Sequence, residues 1–270
     1  MLQCLPNEIE RIIFRIATTT HPIHHLPSYL LVAGRVHDWV EELMYHTVIL
    51  TSEFQGRGFV DSCPLASAKV KALCLGGNLQ LTTAARILEL CRSIDDLALW
   101  VLPGGDVPDV PACLLIALNR LPLSRLSVRL SAIFCRTAAP YLPSIPLFEK
   151  VTHLELLEGW VLWGFPTGIH HLTQLTHLSL RAVAHQTAPA LLKMILTDCA
   201  SLEVLFLRVI DGVEDIEAWL KAEGFDDPRI TVVTATDPRN FWDCLTSDET
   251  KTWNYGDDIM KSHQSGTSTL

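Results

Sequence analysis

The sequence has no apolar run near the roughly 18 residues that a membrane-crossing helix requires. Its positive mean hydropathy of +0.25 is therefore read as core. The first twenty residues carry Glu8 and Glu10 and no basic stretch leading into an apolar one, so no secretory signal is expected. There is no C-x-x-C pair among the 8 cysteines and no N-x-[ST] acceptor. Most cysteines lie inside apolar segments, where a free thiol packs as a small hydrophobe. These absences favour a reducing compartment, cytoplasmic or nuclear.

The usual sequence entry points to catalysis are missing as well. No G-x-x-x-x-G-K-[ST], G-x-G-x-x-G, G-x-S-x-G or H-E-x-x-H occurs. The adjacent pairs His24-His25 and His170-His171 aim their imidazoles in different directions on regular structure, without cysteines at zinc spacing. Asp95-Asp96 and Asp226-Asp227 read as strand-edge or loop charges. Neither a metal nor a cofactor is expected, and the chain is expected to be no enzyme.

Positive charge is scarce: Lys and Arg number 21 against 30 for Asp and Glu, a net charge of −9. Residues 211–270 hold thirteen acids and five bases, whereas residues 1–210 hold seventeen and sixteen. An acidic C-terminus on a neutral body lacks the basic surface a duplex nucleic-acid binder needs. Disorder is equally disfavoured, since 49% of residues are hydrophobic and 19% charged.

What the chain does contain is a recurring phrase with apolar residues at relative positions −3, 0 and +2. It reads Val70, Leu73, Leu75; Ile94, Leu97, Leu99; Leu123, Leu126, Val128; Val151, Leu154, Leu156; Leu175, Leu178, Leu180; and Leu202, Leu205, Leu207. A weaker seventh copy is centred on Ile230 with Val232. The central residues are 24, 29, 28, 24, 27 and 25 apart, inside the roughly 20–29-residue period of leucine-rich repeats. An ordinary α/β domain with leucine-rich strands would not keep so even a period. Positions 0 and +2 leave a short strand on the same side.

Between the strands lie apolar residues at helical spacing: Ala84, Ile87, Leu88, Cys91; Leu114, Leu115, Leu118; and Ala188, Leu191, Leu192, Ile195. One strand-helix unit cannot bury its own face, so stacking neighbours builds the core. The expected fold is α/β, a solenoid of six to seven such repeats over residues 51–240, preceded by a small all-α module over 1–50. Pro103-Gly104-Gly105 with Pro108 and Pro111, and Gly164-Phe165-Pro166 with Gly168, read as loops. Gly56 and Gly58 read as the separator between module and repeats. Phe241-Trp242, Trp253 and Tyr255 are expected to close the last repeat as an acidic cap over 241–261, with a disordered tail over 262–270.

The first fifty residues depart from the repeat. Leu5-Pro6-Asn7-Glu8 opens an amphipathic helix striped by Ile9, Ile12, Ile13 and Ile16. A second apolar piece covers Tyr29 to Val32, and a third helix presents Val36, Trp39, Val40 and Leu43 and ends near Tyr45. Leu5-Pro6 with Glu8, Ile9 and Ile13-Phe14 resembles the opening of an F-box. Leu31-Val32 followed by Arg35, Trp39, Leu43 and Tyr45 resembles its second half. With the repeats, most of the chain is similar to the F-box–leucine-rich-repeat proteins, in particular the large sets of mushroom-forming fungi.

That resemblance implies a substrate receptor of an SCF-type cullin-RING ubiquitin ligase. The F-box would dock on the Skp-family adaptor, and through it a cullin, while the repeats present a target protein. It assigns Leu5, Pro6, Ile9, Ile13, Phe14, Leu31, Val32 and Trp39 to the adaptor-facing surface. The other reading of these residues is a helical cap over the open core of the first repeat, leaving a stand-alone binding scaffold. Apolar side chains exposed away from the repeats fit the F-box, and their complete burial fits the cap.

On each strand, positions −1, +1 and +3 point away from the leucine core and are expected to line a concave binding surface. The +3 column reads Gly76, Trp100, Arg129, Leu157, Arg181, Arg208. Arg125 stands at −1 and Phe206 at +1. Trp and Arg are enriched at binding hot spots, and guanidinium forks suit carboxylates and phosphates. Trp100, Arg125, Arg129, Arg181, Phe206 and Arg208 are thus the candidate target contacts, for an acidic or phosphorylated ligand. The plainer reading makes these arginines solvated strand edges partly paired with Glu155 and Glu203.

Overall fold

A computed structural model of the chain describes residues 5–20, 26–62, 66–101, 112–134, 140–159, 167–183, 188–210 and 212–234. The loops expected at Pro103–Pro111 and Gly164–Pro166, the cap at 241–261 and the tail at 262–270 lie outside these residues.

The recurring phrases form short strands. β1 (Thr47–Leu50), β2 (Ala72–Leu75), β3 (Asp96–Leu99) and β4 (Arg125–Val128) are followed by β5 (His153–Gly159), β6 (His177–Arg181), β7 (Val204–Val209) and β8 (Ile230–Thr234). They make one eight-stranded sheet in chain order, each neighbouring pair parallel. The central positions lie opposite one another: Leu73 pairs with Leu97, Leu97 with Leu126, Leu126 with Leu154, Leu154 with Leu178, Leu178 with Leu205 and Leu205 with Ile230.

The amino ends of β3 to β7 are pinned in the same way. The carbonyl two residues before the central position accepts N–H groups from two successive residues of the next unit. Lys71 takes Asp95 and Asp96, and Asp95 takes Ser124 and Arg125. Ser124 takes Thr152 and His153, Thr152 takes Thr176 and His177, and Thr176 takes Glu203 and Val204, all at 2.8–3.1 Å. These carbonyls precede strands that must turn inward, so their partners satisfy backbone groups that burial would otherwise strand.

Register places every −3, 0 and +2 residue of the six strong phrases in one buried cluster. Against it pack α5 (Leu81–Leu90) through Ala84, Ile87 and Leu88, and α6 (Ala112–Leu118) through Leu114 and Leu118. On the later units α8 (Pro189–Asp198) contributes Leu191, Leu192 and Ile195, and α9 (Val213–Ala222) contributes Ile216 and Leu220. The units around β5 use less helix: a single turn, α7 (Leu130–Ile133), and 3-10 turns at Leu142–Ser144, Pro146–Phe148 and Ile169–His171. Cys91 and Cys199 are buried beside the helices, and burial pushes their thiols up to about 12 and about 11.

Two sequence expectations need correcting. The repeat begins one unit earlier than Val70: α3 (Gly34–His46) runs straight into β1, whose Val48 pairs with Leu73. Tyr45, Val48 and Leu50 form an eighth phrase, concealed because two of its positions are not leucine or isoleucine. Gly56 and Gly58 do not form a separator but lie inside α4 (Glu53–Ser62). A Cβ on Gly56 would stand 2.3 Å from Leu79 Cδ1 and 3.0 Å from Thr83 Cγ2. The glycine is there for close approach of α4 to α5.

At the N-terminus, α1 (Asn7–Thr20) and the one-turn α2 (Leu26–Tyr29) pack on α3. The inner side of α3 buries Val36 and Val40 and meets β1 and the 3-10 turn Ala66–Lys69. Ion pairs join α1 to the outer side of α3: Arg35 grips Glu10 through two nitrogens at 2.9 and 3.0 Å, and Arg11 reaches Glu42 at 3.2 Å.

Deleting a central leucine should cost far more than deleting an exposed one. Leu178→Ala, at a fully buried position, is expected to lose about 2–5 kcal/mol. Leu31→Ala, where the residue is 88% exposed, should stay within about 0.5 kcal/mol of wild type. Denaturant midpoints at constant slope decide between them, and equal losses would contradict the packing.

Candidate functional site

The face of the sheet away from the leucine core is far more closed than its sequence pattern suggests. The +1 column, from Cys74 through Ala98, Ser127, Glu155, Ser179 and Phe206 to Thr231, is buried throughout. Trp100 is 9% exposed, and it packs with Cys74, Ala98 and Leu157 as a second apolar cluster. Phe206, only 2% exposed, forms a third with Val204. Strands about 4.8 Å apart let a large side chain cover the small residues of its neighbours. Trp100 and Phe206 are therefore packing residues of this face, not open anchors as expected.

Between these clusters runs a polar chain across the strands. The Trp100 indole N–H donates to Ser127 Oγ at 2.8 Å, and the Ser127 hydroxyl donates to Glu155 Oε2 at 2.5 Å. Arg208 forms an ion pair with Glu155 Oε1. Glu155 is fully buried and the Arg208 side chain is 11% exposed. Burial lowers the Arg208 pKa to about 10, so it stays charged at neutral pH. Arg208 is thus committed to Glu155, as the plainer sequence reading held.

The −1 column carries a second arrangement. The rings of His153 and His177 stack with centroids 4.2 Å apart and planes 9° from parallel. Thr152 Oγ1 donates to the Ser124 carbonyl and lies 2.8 Å from His153 Nδ1; Thr176 Oγ1 donates to the Thr152 carbonyl and lies 2.9 Å from His177 Nδ1. A hydroxyl has one proton, so each threonine accepts from Nδ1–H and fixes the same tautomer in both rings. Burial, with His177 and Arg125, lowers the His153 pKa to about 3. Next along the row, Arg125 lies 3.8 Å from Asp96, whose carboxyl burial raises to about 6 against the pull of Arg125.

Two expected target contacts differ from the rest. Arg181 is exposed, and no ion pair among the described residues engages it. Arg129 is half-buried, and its Nε is buried without an acceptor.

On the N-terminal helices the apolar stripe faces outward. Ile9, Ile12, Ile13 and Ile16 are 44–57% exposed, Leu5 52%, Leu31 88% and Val32 58%. Pro6 is exposed, Trp39 is half-buried, and half-buried Phe14 meets Tyr29 edge-on at 6.0 Å. Of the eight expected adaptor-facing residues, Leu5 and Pro6 lie just before α1, and the other six sit on α1, on α3 or in the α2–α3 turn.

One grouping escaped the sequence reading. His37, Asp38 and Glu41 on α3 bring a nitrogen and two carboxylate oxygens within 4.8 Å of one another. Glu41 is held by Lys69 at 2.5 Å, which keeps its carboxyl below the usual range. The i, i+4 spacing of His37 and Glu41 was the available signal. Near the last unit, a groove of about 530 Å³ between α8 and the turn after α9 contains Lys193, Asp226 and Arg229. There Arg229 is consumed by Asp227 and the Leu196 carbonyl, each at 2.7 Å. No helix among the described residues is long and apolar enough to cross a membrane. No family model matches the chain, and no curated protein is significantly similar to it.

Glu155→Gln should destabilise the fold by about 3–5 kcal/mol, because it leaves a buried guanidinium unpaired. Glu155→Gln combined with Arg208→Gln should lose less than the two single changes added together; strict additivity in a double-mutant cycle would show that the pair is uncoupled. Acid provides another check. Below pH 6.5 the unfolded chain protonates His153 before the folded one does, so this residue costs stability as pH falls toward 3. Asp96 acts oppositely, since the folded state takes its proton first between pH 6 and 3.8. His153→Gln should therefore flatten the loss of stability between pH 7 and pH 5, and Asp96→Asn should steepen it below pH 6.

Proposed function

We propose that this protein is the substrate-recognition subunit of an SCF-type cullin-RING ubiquitin ligase, an F-box–leucine-rich-repeat receptor acting in the cytoplasm or nucleus. Its N-terminal helices dock on the Skp-family adaptor, and its repeats hold a target protein. It supplies no reacting group itself. Its contribution is proximity: a bound target has a raised effective concentration beside the conjugating machinery.

One observation carries this reading. An amphipathic helix in a monomeric protein normally turns its apolar stripe toward the core, yet α1 is fastened to α3 by ion pairs with its isoleucines in solvent. With Leu31 and Val32 they form the kind of exposed apolar surface that marks a protein partner. The alternative, a cap on a stand-alone scaffold, draws support from α3, whose Val36 and Val40 seal the first unit. It gives no reason for the α1 stripe. The two roles fit different sides of α3.

Co-purification with the Skp-family adaptor tests the reading. Wild-type protein is expected to retain the adaptor. Ile9→Asp/Ile13→Asp should lose it while unfolding at the wild-type midpoint, because both residues are about half exposed. A folded wild-type chain that retains no adaptor would sink the ligase role and leave a binding scaffold.

A further inference from the structure

We infer that Glu10 and Arg35 are positioning residues. Together with Arg11 and Glu42 they decide which side of α1 rests on α3, and so whether its isoleucine stripe is open to a partner or turned against the fold. The inference rests on the docking reading above for the partner alone, since the direction of the stripe is a property of the free chain.

Exposure along α1 identifies its inner side. Between Asn7 and Thr18 only Glu10, Phe14, Ala17 and Thr18 are half-buried, and no residue there is fully buried. These positions are spaced i, i+4, i+7 and i+8, which places them on one side of a helix. At about 3.6 residues per turn, the centre of the Ile9, Ile12, Ile13 and Ile16 stripe lies roughly 130° away around the helix. The side of α1 that meets α3 thus carries a carboxylate, although a more apolar side exists.

Apolar burial alone predicts the opposite orientation. Covering four isoleucines is worth more than an exposed ion pair, so attraction between Arg35 and Glu10 is not by itself enough to hold the stripe out. The larger obstacle is the surface that would receive it. Arg35, Trp39 and Glu42 are spaced i, i+4 and i+7 on α3, and Arg35 and Glu42 both bond to α1. Isoleucines pressed there would strip water from a guanidinium and a carboxylate and offer no hydrogen bond in return.

Glu10 does the reverse. It accepts from Nε and Nη2 of Arg35 at 2.9 and 3.0 Å, and its side chain is only 19% exposed. A two-pronged contact fixes rotation as well as distance, because the carboxylate must face the planar fork to take both bonds. Arg11 with Glu42, at 3.2 Å, adds a second and more exposed contact.

The test reads the direction of the stripe without any partner. Ile12→Cys puts a reporter thiol on the stripe, at a position 53% exposed and outside the eight expected adaptor contacts. Maleimide labelling of the full chain, resolved by peptide mass spectrometry, measures its accessibility against Cys113, which is exposed on α6. Adding Arg35→Leu/Glu42→Leu gives the isoleucines an apolar seat and should slow labelling at position 12 by at least about tenfold. The unfolding midpoint should not fall, because both side chains are more than half exposed. Glu10→Arg/Arg35→Glu exchanges the charges and should keep the wild-type labelling rate.

Unchanged or faster labelling in Arg35→Leu/Glu42→Leu, the result of a helix that merely detaches, would overturn the inference. So would slowed labelling in the charge exchange. Adaptor capture by the same proteins separates this inference from the docking reading. Capture lost in Arg35→Leu/Glu42→Leu and kept in the charge exchange would support both. A wild-type chain that captures no adaptor would sink the docking reading, while the labelling rates would still decide the direction of the stripe.

Discussion

The fold depends on a carbonyl that accepts twice. At the entrance to successive strands, one backbone oxygen takes two consecutive N–H groups from the following unit, from Lys71 through Thr176. A parallel ladder otherwise tolerates small slips between neighbours. Here the double acceptance fixes each strand's start, and with it the side chains that reach the core. The connecting segments then vary freely: a full helix such as α5 and the 3-10 turns before β5 deliver their strands to equivalent positions. Unequal spacing in the sequence becomes equal spacing in the sheet.

The leucine columns were legible because burial there follows a local rule. An apolar residue at 0 and another at +2 face the same side whatever lies next door. The other face was not legible, because exposure there is decided by neighbours along the hydrogen-bonding direction, which are 24–29 residues away in sequence. Trp100 looks like a surface anchor until Ala98 and Cys74 prove small enough for it to lie over. Glu155 looks like an ordinary polar position until Ser127, Arg208 and the sheet enclose it. Gly56 is a similar case: its role follows from Leu79, which local composition does not identify.

The N-terminal helices show how one element serves two neighbours. With Val36 and Val40, α3 seals the end of the stack, while Arg35 and Glu42 on its outer side hold α1 by charge. Attachment by ion pairs leaves the isoleucine stripe unused. The sequence revealed the stripe's period but not its direction, because periodicity identifies an apolar face without identifying what covers it. Direction comes from the charges on the opposite face of α1, and these matter only once α3 is in place.

Glu155 has a consequence for the order of the units. Any strand of this stack could cover any other's leucines, so a pairing that skipped a whole unit would bury almost the same apolar surface. The polar chain through Trp100, Ser127, Glu155 and Arg208 occurs once, and to complete it β3, β4 and β5 must be successive neighbours with β7 two places beyond β5. A skipped unit would enclose a carboxylate without its cation, at a cost of several kcal/mol. The least repetitive residues of the sheet thus act as its address label, telling otherwise interchangeable units which place in the stack is theirs.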